Sequence, residues 1–440
     1  MYQQKYDKTS VESIFNFAKL LTGKTLDEAV TLPHSVANSK NKGDLGRLVE
    51  AHFFELPPTN SGIDFPEAGL ELKTTGVLQN KDGEYRAKER LVLTMVNYMD
   101  IVHESWTKSV LYLKCKLMLI LFYKYEKGAA SIDQRFVLDP KMYKISENDE
   151  AVIRRDWEVL KEKVKEGKAH EISEGDTYYL GACRKGAGGS KETLQEQPFS
   201  KTAAKARAFS FKPSYMNRII KGHVEGESSL GVSETLTFEE ATTGKFQSYL
   251  GNSIEEISAR LGLPRSGAGN KGFTRQLAVR ILVGEGLDVP ELEKAGIELK
   301  TIRVTKSGSP REAMSFPGFR YLEIVNQDWE DSSFFDKLES RFLFIVFQED
   351  EAGIERLTKV FYWNMPYEDR IEAQRVWEDT KYRVGVNAGD LPKSSESHVA
   401  HVRPKARNAS DTIPTPQGTM LVKKCFWLNR DYVSSILESN

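Results

Sequence analysis

Within residues 62–75, GIDFPEAGLELKTT, three side chains have the types and spacing to do chemistry: Asp64, Glu71 and Lys73. Along an extended strand successive side chains alternate faces, so Glu71 and Lys73 project together while Leu70, Leu72 and Thr74 face the other side. Asp64 precedes Glu71 across the short FPEAG turn, and a hairpin-like return there brings the two carboxylates together. Glu50, on a preceding helix, can approach from above. Converging carboxylates form the hard-oxygen environment that magnesium prefers, and a neighbouring lysine can orient or deprotonate a water for attack on a phosphodiester. The pattern points to metal-assisted hydrolysis of a nucleic acid. The plain alternative is a surface ion pair, because D-x(n)-E-x-K is met by many unrelated strands, and the surrounding sequence decides between the two.

The elements that must position these groups show in the hydrophobic periodicity. SVESIFNFAKLL and KGDLGRLVEAHFF carry apolar residues at three and four spacing, as amphipathic helices do, and LELKTT, RLVLTMV and KLMLILFYKY follow as short strands. A helix is expected over DEAVIRRDWEVLKEKVKEG, then a loop-rich segment and a final amphipathic helix. This predicts an α/β or α+β fold, a mixed sheet flanked by helices.

The chain also repeats itself. AGLELKT at 68–74 returns as AGIELKT at 295–301, and NKGDLGRLVE (41–50) faces NKGFTRQLAV (270–279). Further on, MDIVHESW faces LEIVNQDW, LKCKLMLILFY (113–123) faces LESRFLFIVFQ (338–348), RDWE faces RVWE, and RAFSFKPSYMNRII faces KCFWLNRDYVSSIL. Similar blocks in one order predict two diverged copies of a domain of about 200 residues, spanning 1–225 and 226–440. KGHVEGESSLGVSETLTF (221–238), rich in Gly, Ser and Glu, reads as a solvated linker with the join near residue 230.

Composition excludes several classes. Of the 440 residues, 62 are Lys or Arg and 63 Asp or Glu, a net charge of −1, so the global balance neither requires nor forbids a polyanionic partner. Cys115, Cys183 and Cys425 lie far apart with no ligand-spaced histidine, which argues against a disulfide framework or a zinc site and favours a reducing cytoplasm. No stretch approaches the roughly 20 apolar residues of a membrane span, and no export signal is expected. GAGGSK lacks the spacing of a nucleotide-binding P-loop. The seven histidines are scattered and are assigned no catalytic or metal role.

KGDLGRLVE, DFPEAGLELKT, LKCKLMLILFY and RAFSFKPSYM, in this order, resemble the successive blocks of MutH, the mismatch-repair nicking endonuclease. The tandem arrangement resembles the type II restriction enzymes that cut GATC with a duplicated MutH-like architecture, and the resemblance covers nearly the whole chain. It implies two tandem copies of the restriction-endonuclease-like PD-(D/E)xK fold, double-stranded DNA as partner, Mg2+ as cofactor and cleavage at GATC. On this resemblance Asp64, Glu71 and Lys73 match the catalytic triad, with Asp64 and Glu71 at the metal. Glu50 matches the accessory acid and Lys114 the second lysine, at the start of a later strand. Lys116, two residues on, competes for that last role.

In the second copy Glu291 stands opposite Asp64, Val279 opposite Glu50 and Glu339 opposite Lys114, while Glu298 and Lys300 remain. Valine cannot hold a metal, and a carboxylate in place of lysine reverses the charge. Catalysis is therefore expected in the first copy, and a DNA-binding or effector role in the second. For reading DNA, HVRPKARNAS (401–410) offers Arg403, Lys405 and Arg407, arginine being the common reader of guanine edges, and resembles the base-reading loop of MutH. LGACRKGAGGSK (180–191) offers Arg184, Lys185 and Lys191 and departs from that pattern. Lys212 and Arg430 are expected to touch phosphates. The expectation is a type II site-specific deoxyribonuclease with no membrane association, monomeric in solution and able to pair or loop on DNA. The alternatives are a MutH-like repair nickase and a DNA-binding regulator that does not cut.

Overall fold

The apolar runs of the first half condense into two sheets. In the computed structural model, which describes residues 5–33, 44–58, 62–185, 193–222, 236–263, 272–284, 289–311 and 313–440, Leu117–Lys124 is the parallel partner of Glu71–Gln79, with Glu71 opposite Met118. A strand covered on both faces reads as an unbroken apolar run, and every residue from Met118 to Phe122 is buried. Tyr85–Ala87 and Lys141–Lys144 flank the pair antiparallel. A second, antiparallel sheet sets Arg207–Phe211 between Leu91–Met95 and Leu180–Arg184. Helix Glu147–Lys165, capped by Ser146, lies against it. Asp156 ties the two together, its carboxylate accepting the backbone N–H groups of Tyr178, Tyr179 and Leu180 at 2.8, 2.7 and 2.9 Å.

The second half follows the same plan. Glu298–Val304 pairs in parallel with Phe342–Glu349, with Glu298 opposite Phe342, and Glu355–Trp363 adds antiparallel. Lys424–Leu428 lies between Ser315–Gly318 and Ala400–Pro404, and helices Tyr367–Asn387 and Arg430–Ser439 complete the unit. The architecture is a mixed α/β one, with several small sheets and flanking helices.

One apolar core runs through both halves: Trp157, Phe211 and Tyr215 belong to the same buried cluster as Phe238, Leu277 and Leu343. A buried polar joint accompanies it. Glu339 accepts from Arg370 at 3.0 Å and from the backbone N–H of Glu174 at 3.1 Å, and Arg370 donates to the Glu171 carbonyl at 2.7 Å. Residues 223–235, most of the expected linker, lie outside the described residues. Among the described residues no helix is long and apolar enough to cross a membrane, and the three cysteines are free and buried.

Candidate active site

Three local devices bring the acids of the first half together. Phe65 and Leu70 exchange backbone hydrogen bonds at 2.9 and 3.1 Å, closing a tight return in which Gly69 adopts φ 64, a left-handed conformation that costs glycine little. The return carries Asp64 alongside the strand, where its Oδ2 accepts the Leu72 N–H at 2.8 Å. Helix Asp44–Leu48 continues into a π-helical turn over Val49–Phe53 that holds Glu50. At Gly46 a Cβ would come within 3.8 Å of the Thr74 side chain, so this helix lies close on the Glu71 strand.

An aromatic cluster fixes all three. Tyr6 stacks on Phe17 with ring centroids 4.3 Å apart, Phe17 on Phe53 at 4.6 Å, and Phe54 meets Phe65 edge-on at 5.7 Å. Phe65 is the neighbour of Asp64, and Phe53 and Phe54 follow Glu50 within one turn, so the packing of these rings determines where the carboxylates stand.

Glu71 is the centre of the site. Its side chain is 1% exposed, and its Oε1 accepts from Lys73 at 2.7 Å and from Lys114 at 2.9 Å. Its other oxygen, Oε2, is buried with no hydrogen-bond partner among the described residues. Lys73 also reaches the Leu93 carbonyl at 3.5 Å, which links the two sheets beneath the site. Burial first, and the Asp64 carboxylate next, push Glu50 up to about 6. Burial and then Glu71 raise Asp64. Glu50, Asp64, Glu71, Lys73 and Lys114 thus share one electrostatic neighbourhood.

Among the described residues no three His, Cys, Asp or Glu side chains form a ready-made cage for an ion. Magnesium does not require one, since it keeps several waters and takes one or two carboxylates plus substrate phosphates. An orphaned, buried carboxylate oxygen with a second carboxylate nearby fits that requirement, Glu71 and Asp64 being the residues that could hold an ion.

Several sequence expectations need correction. Lys114 lies near the end of helix Val110–Cys115, not on a strand, and Lys116 is the residue that caps that helix. Lys212, expected on a phosphate, is buried, and its ammonium donates to the carbonyls of Glu174 and Thr177. Its role is internal. His401, one of the histidines given no catalytic or metal role, is buried with its ring bonded to Asn429 at 2.5 Å.

The alignment of Glu339 with Lys114 also fails. Helix Ser333–Leu338 precedes its strand as Val110–Cys115 does, and its fifth residue is Lys337, which bonds Glu298 as Lys114 bonds Glu71. Glu339 is instead the buried partner of Arg370.

Basic and acidic residues in equal number line a cavity of about 780 Å³ that runs from Lys73 and Thr75 past Arg90, Arg184 and Lys185 to Asp328 and Glu330 of the second half. Arg90 and Lys205 here escaped the sequence reading; the basic residue opening RLVLTMV is the signal that could have flagged Arg90. Arg184 pairs with Glu330 at 2.8 Å and lies over the Phe335 ring at 4.7 Å, so contact with a base would require it to leave Glu330. Lys191 falls outside the described residues. In the second half Arg403 is exposed at a strand end and stacks on Trp427, 3.8 Å from the ring centroid. Lys405 donates to the Phe316 carbonyl at 2.8 Å, and Arg430 is exposed at the start of the last helix.

Comparison with known proteins gives consistent results. The family model described as DNA mismatch repair enzyme MutH matches residues 56–156 and 287–374. The type II restriction enzyme Sau3AI of Staphylococcus aureus is 31% identical, over 97% of this chain and 98% of its own. MutH of Shewanella woodyi is 25% identical over 48% of this chain and 91% of its own, and MutH of Serratia proteamaculans 24% identical over 37% and 70%.

Proposed function

The chain belongs to the family of the type II restriction enzyme Sau3AI, and on that premise we propose that it cuts double-stranded DNA at GATC with Mg2+, using the first half as the catalytic unit. The observation that carries this is Glu71, buried between Lys73 and Lys114 with one oxygen left without a partner. Glu71 and Asp64 would hold the ion. When bound, a divalent ion supplies Lewis acidity at the phosphate and makes a water nucleophile available near neutral pH. The chain's own groups do the rest. Lys73 and Lys114, both anchored on Glu71, present fixed positive charge toward a phosphate that gains negative charge during in-line attack. Glu50, at about 6, is the carboxylate best matched to take a proton near neutral pH.

Two diverged PD-(D/E)xK copies, 1–225 and 226–440, account for the two sheets of like topology and for the two segments matched by MutH. The second copy keeps Glu298, Lys300 and a lysine at 337 but has Val279 opposite Glu50 and a longer acid, Glu291, opposite Asp64. It acts as a DNA-binding or effector unit, with Arg403 and Lys405 toward the bases and Arg430 toward a phosphate, while Arg184 and Lys185 serve the first copy. The protein is a cytoplasmic monomer that can pair or loop on DNA.

Digestion of unmethylated and adenine-methylated plasmid in magnesium tests the reading, with linear product and ends mapping to GATC expected. Glu71→Ala should lower cleavage by on the order of a thousandfold, because it removes a proposed holder of the ion and frees both Lys73 and Lys114, the groups placed to stabilise the phosphate's developing charge, with DNA binding retained. Glu298→Ala should leave the rate within several-fold. Cleavage by Glu71→Ala at near the normal rate would refute the assignment. The MutH match favours one second reading, a nickase, for which the plasmid yields open circles and no linear DNA.

A further inference from the structure

The counterpart of the active site in the second half has a valine in place of one acid and a longer, buried acid in place of another, without losing its cations. Glu298 is bonded by Lys337, Lys300 stands 3.7 Å from its other oxygen, and Arg275 donates to the neighbouring Leu299 carbonyl at 3.3 Å. Arg275, Glu298, Lys300 and Thr301 line a cavity of about 440 Å³, with Glu293 also on its wall. Val279, opposite Glu50, is 4% exposed and part of the core. Glu291 is buried, and its charge acts on the Tyr179 phenol across the joint between the halves.

The charge balance is therefore shifted toward positive. In the first half three carboxylates (Glu50, Asp64, Glu71) meet two lysines (Lys73, Lys114); in the second, three cations (Arg275, Lys300, Lys337) act on Glu298, with Glu293 on the cavity wall and Glu291 buried. Openness changes as well. The Glu71, Lys73 and Lys114 side chains are 1%, 18% and 15% exposed, against 28%, 37% and 41% for Glu298, Lys300 and Lys337. Lys300 is held more loosely than Lys73, at 3.7 Å against 2.7 Å from its glutamate. An open site whose lysines are partly exposed and whose acids are already matched by cations can take an anion without a divalent ion to neutralise the acids first.

We propose that Lys300 and Arg275 on the wall of this pocket, with Lys337 beside them on Glu298, form a metal-independent clamp for one DNA phosphate. It rests on the reading of the second half as a DNA-binding unit. The clamp engages duplex backbone at the place where the first half would cut, without cutting it. Because the contact is to phosphate, it adds affinity without selecting sequence.

The test uses the full chain in EDTA, with fluorescent duplexes that contain or lack GATC, titrated at several salt concentrations. Lys300→Ala with Lys337→Ala should weaken binding to both duplexes by about tenfold and reduce the slope of log affinity against log salt by about one. Lys300→Arg with Lys337→Arg should keep the slope, and equal thermal midpoints of the two double variants exclude misfolding as the cause. An unchanged slope and affinity in the alanine variant overturns the clamp, as does a loss that appears only when magnesium is added. Arg403→Ala separates the two claims. If it weakens GATC binding while the alanine double variant does not, only the clamp falls; if neither changes binding, DNA binding by the second half falls with it.

Discussion

Glu50 joins the site's chemistry to its cost. Burial and Asp64 raise it from an ordinary 4.5 to about 6, so the folded chain binds this proton more tightly than the unfolded one. The stability it contributes is fully present below pH 4.5 and is lost as pH rises through about 6. Glu50→Gln should then raise the thermal midpoint at pH 8 without divalent ions, with the gain shrinking as pH falls from 6 to 4.5, and should lower cleavage in magnesium by about a hundredfold. Melting curves across that pH range decide it, and a variant less stable at pH 8 contradicts the account. At this scale most of the site is legible in the sequence. Alternation along a strand puts Glu71 with Lys73, and a seven-residue return around glycine brings back Asp64, both being short-range rules. Lys114 is legible only through family resemblance, because its contact with Glu71 spans 43 residues of chain.

Elements decide which charges are free to act. FSFKPSY gives Lys212 a surface look, yet the carbonyls of Glu174 and Thr177 surround its ammonium and burial lowers its pKa. Lys212→Ala should cost about 1–3 kcal/mol, since two buried acceptors lose their donor, and should leave the salt slope of DNA binding unchanged. A slope reduced by about one at unaltered stability would return Lys212 to the phosphate contacts. Register is the other property that residue patterns do not fix. Three positions separate Cys115 from Met118, but four separate Leu338 from Phe342, so the second half holds one extra residue between helix and strand. The ungapped alignment of 113–123 with 338–348 is one residue out in the strand, setting Met118 opposite Leu343 instead of Phe342, and the insertion puts it one further out in the helix, so that Glu339 falls opposite Lys114 and the kept lysine, Lys337, is hidden. Only the pairing of Glu298 with Phe342 and the contact of Lys337 with Glu298 reveal it.

At the scale of the molecule, the repeat suggests two units on a tether, whereas the halves share a buried core and a polar joint. The joint is illegible in the sequence because Glu339 and Arg370 look like ordinary solvated charges. In the structure both are buried, bonded to each other at 3.0 Å and to the backbone of Glu171 and Glu174. Removing one member of a buried ion pair strands the other and costs about 3–5 kcal/mol. With one core through both halves, unfolding should be a single cooperative transition in calorimetry, and Arg370→Ala should lower its midpoint as a whole. Arg370→Met, which keeps volume but not charge, should not rescue it, because Glu339 stays stranded. The double replacement Arg370→Met with Glu339→Met should recover much of the loss. Two separate transitions in the unaltered chain would mean that the halves fold independently and that the joint contributes little.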